Sequence, residues 1–130
     1  MTPRRTGRAA GGTDPVLLIA CAIATQEGFF VAGSFPQLHN NPGDLEFAGQ
    51  IGASKVQGSP LAHFESLPLG VNALYRQIRA MIALNMTLWE LIDKWSATDK
   101  EAYQANVAAW TGLPVYVPLL QLLPLLVKLD

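Results

Sequence analysis

The chain has 130 residues, half of them apolar, and a formal net charge of −1. That is enough for one domain around one core and too apolar for a disordered chain, while near-neutrality argues against a nucleic-acid-binding surface. Cys21 is the only cysteine, which excludes an internal disulfide framework, and His39 and His63 stand isolated rather than at zinc-ligand spacing, so no metal and no cofactor is expected.

Residues 1–13, rich in Gly, Ala and Arg, read as a flexible basic leader. With Arg4, Arg5 and Arg8 set aside, six basic residues face ten acidic ones. The arginines followed by apolar residues 16–24 have the outline of a signal peptide, and Leu18-Ile19-Ala20-Cys21 that of a lipoprotein box. Asp14-Pro15 breaks that order, and only five apolar residues precede Cys21. Asp14 as N-cap with Pro15 in the first helical position is the better reading. A buried helix then runs over about 14–27, with Cys21 as a small core residue.

Residues 33–42 read as loop. From 44 to 64, Gly49, Gly52 and Gly58 punctuate short segments, the pattern of a small antiparallel hairpin or sheet. Ser66 is placed to cap a helix with Pro68 in its first turn; Leu69, Val71, Ala73, Leu74, Ile78, Met81 and Ile82 give it an apolar face to about Leu84. Thr87-Leu88-Trp89-Glu90 is a capping box opening a helix to Trp95, and Thr98-Asp99-Lys100-Glu101 is a second, opening one from Asp99 to about Thr111, closed by Gly112 with Pro114 beyond. The helical spacing of Trp89, Trp95 and Trp110 favours burial. The apolar stretch 115–129 is too short to span a membrane and contains Pro118 and Pro124; it is expected to pack as a short helix, without stable membrane insertion. The layout is mainly α within an α+β class: about five helices with a small β insertion after the first, in a single domain over 14–130.

Two segments carry the chemistry. Gln26-Glu27-Gly28-Phe29-Phe30 puts one acid beside two phenylalanines where the first helix runs out. Ionising it there is costly, so its pKa should rise, and an acid that keeps its proton near neutral pH can protonate a leaving-group oxygen. His39-Asn40-Asn41-Pro42-Gly43-Asp44-Leu45 is dense in hydrogen-bonding side chains, as suits a sugar-binding lip, although Asn, Pro and Gly are also ordinary turn formers. His39 reads as a loop residue and His63 as structural or a cleft-wall contact. No serine has the context of a nucleophile elbow, and no Gly-rich segment has that of a phosphate loop.

Together, Ile23-Ala24-Thr25-Gln26-Glu27-Gly28-Phe29 and Asn40-Asn41-Pro42-Gly43-Asp44-Leu45 resemble the lysozyme-like domains of phage and bacterial proteins, related to goose lysozyme and lytic transglycosylases. Phe64-Glu65-Ser66-Leu67 with Gly70 and Ala73-Leu74 resembles the family's "F-x-S-x-x-x-G-x-x-A-L" stretch. Thr87-Leu88, Ile92, Lys94-Trp95 and Glu101-Ala102-Tyr103 resemble its "T-L…I…K-W…A-Y" run. The match covers about residues 15–114. It departs from the pattern at Asp44, where the family turn usually ends Gly-Asn-Leu, and in a shorter segment around 95–99. The resemblance implies a lysozyme-like fold and an enzyme that cleaves the β-1,4 bond between N-acetylmuramic acid and N-acetylglucosamine in peptidoglycan. Glu27 would be the general acid and base, with Asn40, Asn41, Asp44, His63 and Tyr103 as substrate-binding residues. Asp44 and Glu46 are the nearby acids that a two-carboxylate mechanism would need. Such an enzyme works at the cell envelope, in the periplasm or on a virion. The alternative is a non-catalytic phage-tail or envelope module of the same fold. Oligomeric state and the choice between hydrolysis and transglycosylation are left open by the sequence.

Overall fold

Asp14 turns its Oδ1 onto the Val16 N–H at 2.8 Å, and Pro15, with no N–H to leave unpaired, opens the first helix, α1 (Pro15–Gln26). These coordinates are a computed structural model of the chain, and they describe residues 14–123. After α1 come α2 (Phe35–Leu38), strands β1 (Ala53–Lys55) and β2 (Ala62–Phe64), then α3 (Leu67–Ala83), α4 (Leu88–Trp95), α5 (Lys100–Thr111) and a 3-10 turn at Leu119–Gln121. The class is α+β: five helices and one small antiparallel sheet, with Ala53 opposite Phe64, Ser54 opposite His63 and Lys55 opposite Ala62. Among the described residues no helix is long and apolar enough to cross a membrane.

The chain divides into two compact units, one of them Ala20–Ile78 and the other formed by the segments on either side of it. In Ala20–Ile78, the alternation of a strand points Ala62 and Phe64 inward and leaves His63 half-buried on the opposite face. Ala62 and Phe64 join Ala73 of α3 in a buried cluster, with Leu45, Ala53 and Leu69 packed on it. Gly70, in the first turn of α3, meets the turn before the sheet at very close range. A Cβ there would lie 1.7 Å from the Asn40 carbonyl oxygen, so only glycine lets the helix approach this backbone.

In the other unit, α4 packs on α5. Leu88, Leu91 and Ile92 of α4 and Tyr103, Gln104, Val107 and Thr111 of α5 are buried at the three- and four-residue spacing of a helical face. The Thr87 capping box is complete: Glu90 N–H donates to Thr87 Oγ1 at 3.1 Å, and Thr87 N–H donates to Glu90 Oε1 at 2.9 Å. Asn85, at φ 67, ends α3 in a Schellman motif: Asn85 N–H donates to the Ile82 carbonyl and Met86 N–H to that of Met81. Gly112, at φ 68, closes α5.

Several expectations need correction. Cys21 is exposed, not in the core, because it shares the solvent-facing stripe of α1 with Leu17 and Thr25, four residues to either side. The second capping box does not form. Asp99 sits in the left-handed region at φ 51 and makes no side-chain cap, while the Thr98 carbonyl accepts from the Ser96 hydroxyl. Trp110 is half exposed, and Trp89 and Trp95 are only partly buried. The loop over 33–42 contains α2, opened by Ser34 Oγ accepting the Gln37 N–H. In the C-terminal stretch, Leu119 is fully buried in the 3-10 turn and its N–H donates to the Met86 carbonyl. The leader 1–13 and residues 124–129 of the C-terminal expectation lie outside the described residues.

Candidate active site

Glu27 is held at the end of α1 by a Schellman motif. Gly28 takes φ 82; its N–H donates to the Thr25 carbonyl at 3.1 Å, and Phe29 N–H donates to that of Ala24 at 3.0 Å. A Cβ on Gly28 would have open space around it, so conformation rather than room calls for glycine here. Glu27 is therefore the last residue before the chain reverses, with its N–H still bonded to the Ile23 carbonyl at 2.8 Å. A helix C-terminus concentrates partial negative charge, which disfavours a carboxylate placed there.

The chain returns through α2 to the Asn41-Pro42-Gly43-Asp44 turn, closed by Asp44 N–H donating to the Asn41 carbonyl at 3.0 Å, with Pro42 in its second position. Gln37 fastens the intervening loop: its Nε2 donates to the Phe29 carbonyl at 3.3 Å and its Oε1 accepts from Gly33 N–H at 2.9 Å. Asn41 is completely buried. Its Nδ2 donates to the Leu45 and Ala62 carbonyls, each at 2.9 Å, and its Oδ1 accepts from Leu45 N–H at 2.9 Å. The side chain is spent on backbone, and it ties the turn to β2. Asn40, at φ 52, donates from Nδ2 to the Phe64 carbonyl at 3.0 Å. Both asparagines thus build the turn.

This framework brings Asp44 against Glu27. Asp44 is half-buried in the left-handed region at φ 51, and its carboxyl is hydrogen-bonded to that of Glu27. Its Oδ1 is buried without a hydrogen-bond partner. Burial pushes the Asp44 carboxyl above its ordinary value of 3.8, and the bond to Glu27 pulls partly the other way.

Beside the turn, His39 and His63 place their Nδ1 atoms 3.0 Å apart, with the rings edge to face and His39 packed on Phe35. Only one of those nitrogens can carry the shared proton. Of the residues expected at the site, Glu27, Asn40, Asn41, Asp44 and His63 all lie in the unit Ala20–Ile78, while Tyr103 is buried on α5 in the other unit. Sequence reasoning missed the partnership of His39 with His63, which only the register of β2 creates, and the clasp made by Gln37, whose residue type carries no signal. Glu46 is exposed at an isolated bridge to Leu61 rather than paired with Glu27. The other unit has a groove of about 850 Å³ lined by Met86, Trp89, Glu90, Asp93, Lys94, Lys100, Glu101 and Gln104, and none of the expected site residues lines it. Among the described residues no cluster of three or more His, Cys, Asp or Glu side chains is placed to hold a metal ion.

No protein-family model matches this chain, and neither a curated protein nor a solved structure does.

Proposed function

We propose that this chain cleaves the glycan strands of peptidoglycan, with Glu27 as its single general acid and base on a lysozyme-like fold. The observation that carries the reading is the hydrogen-bonded pair of Glu27 and Asp44, which supports an acid that holds its proton ready for a glycosidic oxygen. The resemblance of the Glu27 segment and the Asn40–Leu45 turn to lysozyme-like domains supplies the substrate class.

The spacing of the carboxyls favours one-acid chemistry. Retaining glycosidases keep their two carboxyls about 5–5.5 Å apart, and inverting ones about 6.5–9.5 Å. Hydrogen-bond contact brings carboxyl oxygens to roughly 3 Å. While bonded to Glu27, Asp44 is too close to attack the anomeric carbon from the opposite face and leaves no room to hold a water there. The nucleophile is then the substrate's own group or a water placed by the substrate. Glu27 protonates the leaving oxygen and afterwards takes a proton back from the attacking hydroxyl or water.

Clearing of a purified peptidoglycan suspension tests the reading. Wild type clears it, and Glu27→Gln, folded by circular dichroism, loses activity by at least about a hundredfold, in line with loss of a general acid. Equal clearing by both proteins rejects Glu27 as the acid. Absence of clearing by either, over several glycan sources, favours the non-catalytic glycan-binding module.

A further inference from the structure

We propose that His39 and His63 form a proton-operated latch between the end of α2 and β2, shut while only one of their facing Nδ1 atoms carries a proton and open when both imidazoles are charged. The latch stands or falls independently of the role of Glu27.

The two Nδ1 atoms lie 3.0 Å apart, at hydrogen-bond distance, and the rings meet edge to face. One nitrogen donates and the other must accept through its lone pair. A neutral pair satisfies this with one ring protonated at Nδ1 and the other at Nε2. A pair with one added charge satisfies it too, since the charged ring donates to the neutral one. A second added proton puts an N–H on both facing nitrogens. The bond is then lost, and two cations oppose each other where it was. Histidine is the side chain that ordinarily changes charge between about pH 5 and 8, so the step falls in a range that a protein meets. Both rings are half-buried and within reach of solvent protons.

The backbone keeps the rings together. The His39 N–H donates to the Phe35 carbonyl at 3.1 Å and caps α2. The His39 carbonyl accepts the Phe64 N–H at 2.9 Å, and Asn40 Nδ2 donates to the Phe64 carbonyl at 3.0 Å. The residue after His63 is thus bonded on both sides to the end of α2. His63 itself is paired with Ser54 across the sheet. Repulsion between charged rings is therefore relieved by rotating a side chain rather than by parting these segments. The His39 ring packs on Phe35 with centroids 4.2 Å apart, so its departure uncovers the first residue of α2.

The other titratable groups of the unit Ala20–Ile78 leave the pair to itself. Residues 35–38 of α2 carry none. The end of α1 brings Glu27, the turn Asp44 and Glu46, and β1 Lys55. The approach to α3 brings Glu65, and α3 brings Tyr75 and Arg76. Among the described residues none of these is hydrogen-bonded or ion-paired to either imidazole, so the charge that each ring meets at close range is the other's.

The test is a double-mutant cycle of His39→Phe, which keeps a ring on Phe35, and His63→Val, which keeps a β-branched residue in the strand. Urea unfolding is measured for wild type, both single variants and the double variant at about pH 8 and about pH 5. Coupling between the two positions is expected to favour the folded state about fivefold at the higher pH, the worth of one hydrogen bond, and to vanish or change sign at the lower. The sign follows from proton binding. The shut latch holds one proton fewer than the unfolded chain can take, so the stability it confers is present at high pH and lost as pH falls. Contacts between the substituted Phe and Val side chains do not titrate, so the pH dependence belongs to the histidines. A coupling that is the same at both pH values, or absent at the higher one, overturns the latch. Nitrogen-15 NMR of the wild-type imidazoles gives a second reading that needs no variant. At about pH 8 one Nδ1 is expected to be protonated and the other bare, and at about pH 5 both are expected to be protonated. Two bare Nδ1 atoms at about pH 8 would also overturn it.

Discussion

Asn41 carries more of the site than its size suggests. Its three side-chain hydrogen bonds satisfy backbone groups of Leu45 and Ala62 that sit in a half-buried to buried setting. Asn41→Ala leaves the Leu45 N–H without its acceptor and takes a donor from the Ala62 and Leu45 carbonyls, the latter keeping the Ala62 N–H at 3.0 Å, at about 1–3 kcal/mol for a group left dry and unpaired. A loss of about 1–3 kcal/mol is expected in urea unfolding, and a shift well below about 1 kcal/mol would show that water replaces the side chain. Asp44 works against stability. Its carboxyl titrates higher in the folded chain than at its ordinary 3.8, so the folded state binds the extra proton across the interval between those two values. Its contribution is therefore most favourable below pH 3.8 and declines as pH rises through the folded pKa. Asp44→Asn is accordingly expected to melt higher than wild type near neutral pH, with the difference shrinking as the pH falls toward about 4. A melting difference that does not vary with pH would contradict this. The position of Glu27 at a helix end was legible in the sequence because an acid next to Gly and Phe there is a local pattern. Asp44 and Glu46 both stand in the sequence as nearby acids, with no means of choosing between them, since the contact is made by the fold of the Asn41 turn.

Among the elements, those with local causes were the ones that could be read. The start of α1 at Asp14-Pro15, the Thr87 box and the Gly112 stop each depend on residues within four positions of one another. Thr98 had the letters of a capping box without the conformation, because the left-handed backbone at Asp99 delays the helix by a residue. The four-residue α2 is too short to show a period, and the exposed stripe of α1 is hidden in a segment apolar on nearly every side. Two substitutions test the causes given. Thr87→Ala removes an oxygen that accepts the Glu90 N–H and is expected to cost about 1 kcal/mol in urea unfolding. Gly70→Ala sets a methyl 1.7 Å from the Asn40 carbonyl and must push α3 away from the turn. That substitution is expected to cost more than the roughly 1 kcal/mol that alanine gains over glycine in a helix, and to weaken any activity that depends on Glu27 and Asp44. A Gly70→Ala protein as stable as wild type would contradict the close approach.

For the molecule as a whole, the fold class was legible from periodicity and punctuation, whereas the grouping of the later part of α1, α2, the sheet and most of α3 into one unit follows from long-range contacts that no single segment encodes. That unit contains the carboxyl pair, the histidine pair and the turn that joins them. Its arrangement gives the proposed reaction one acid, Glu27, with the Asp44 carboxyl bonded beside it. The most direct test is mass spectrometry of the soluble products from purified peptidoglycan, comparing wild type with Glu27→Gln. Muropeptides released by wild type alone are the predicted result; anhydro ends would mark attack by the sugar's own hydroxyl, and reducing ends attack by water. Muropeptides released equally by both proteins, or by neither when both are folded, would contradict the account.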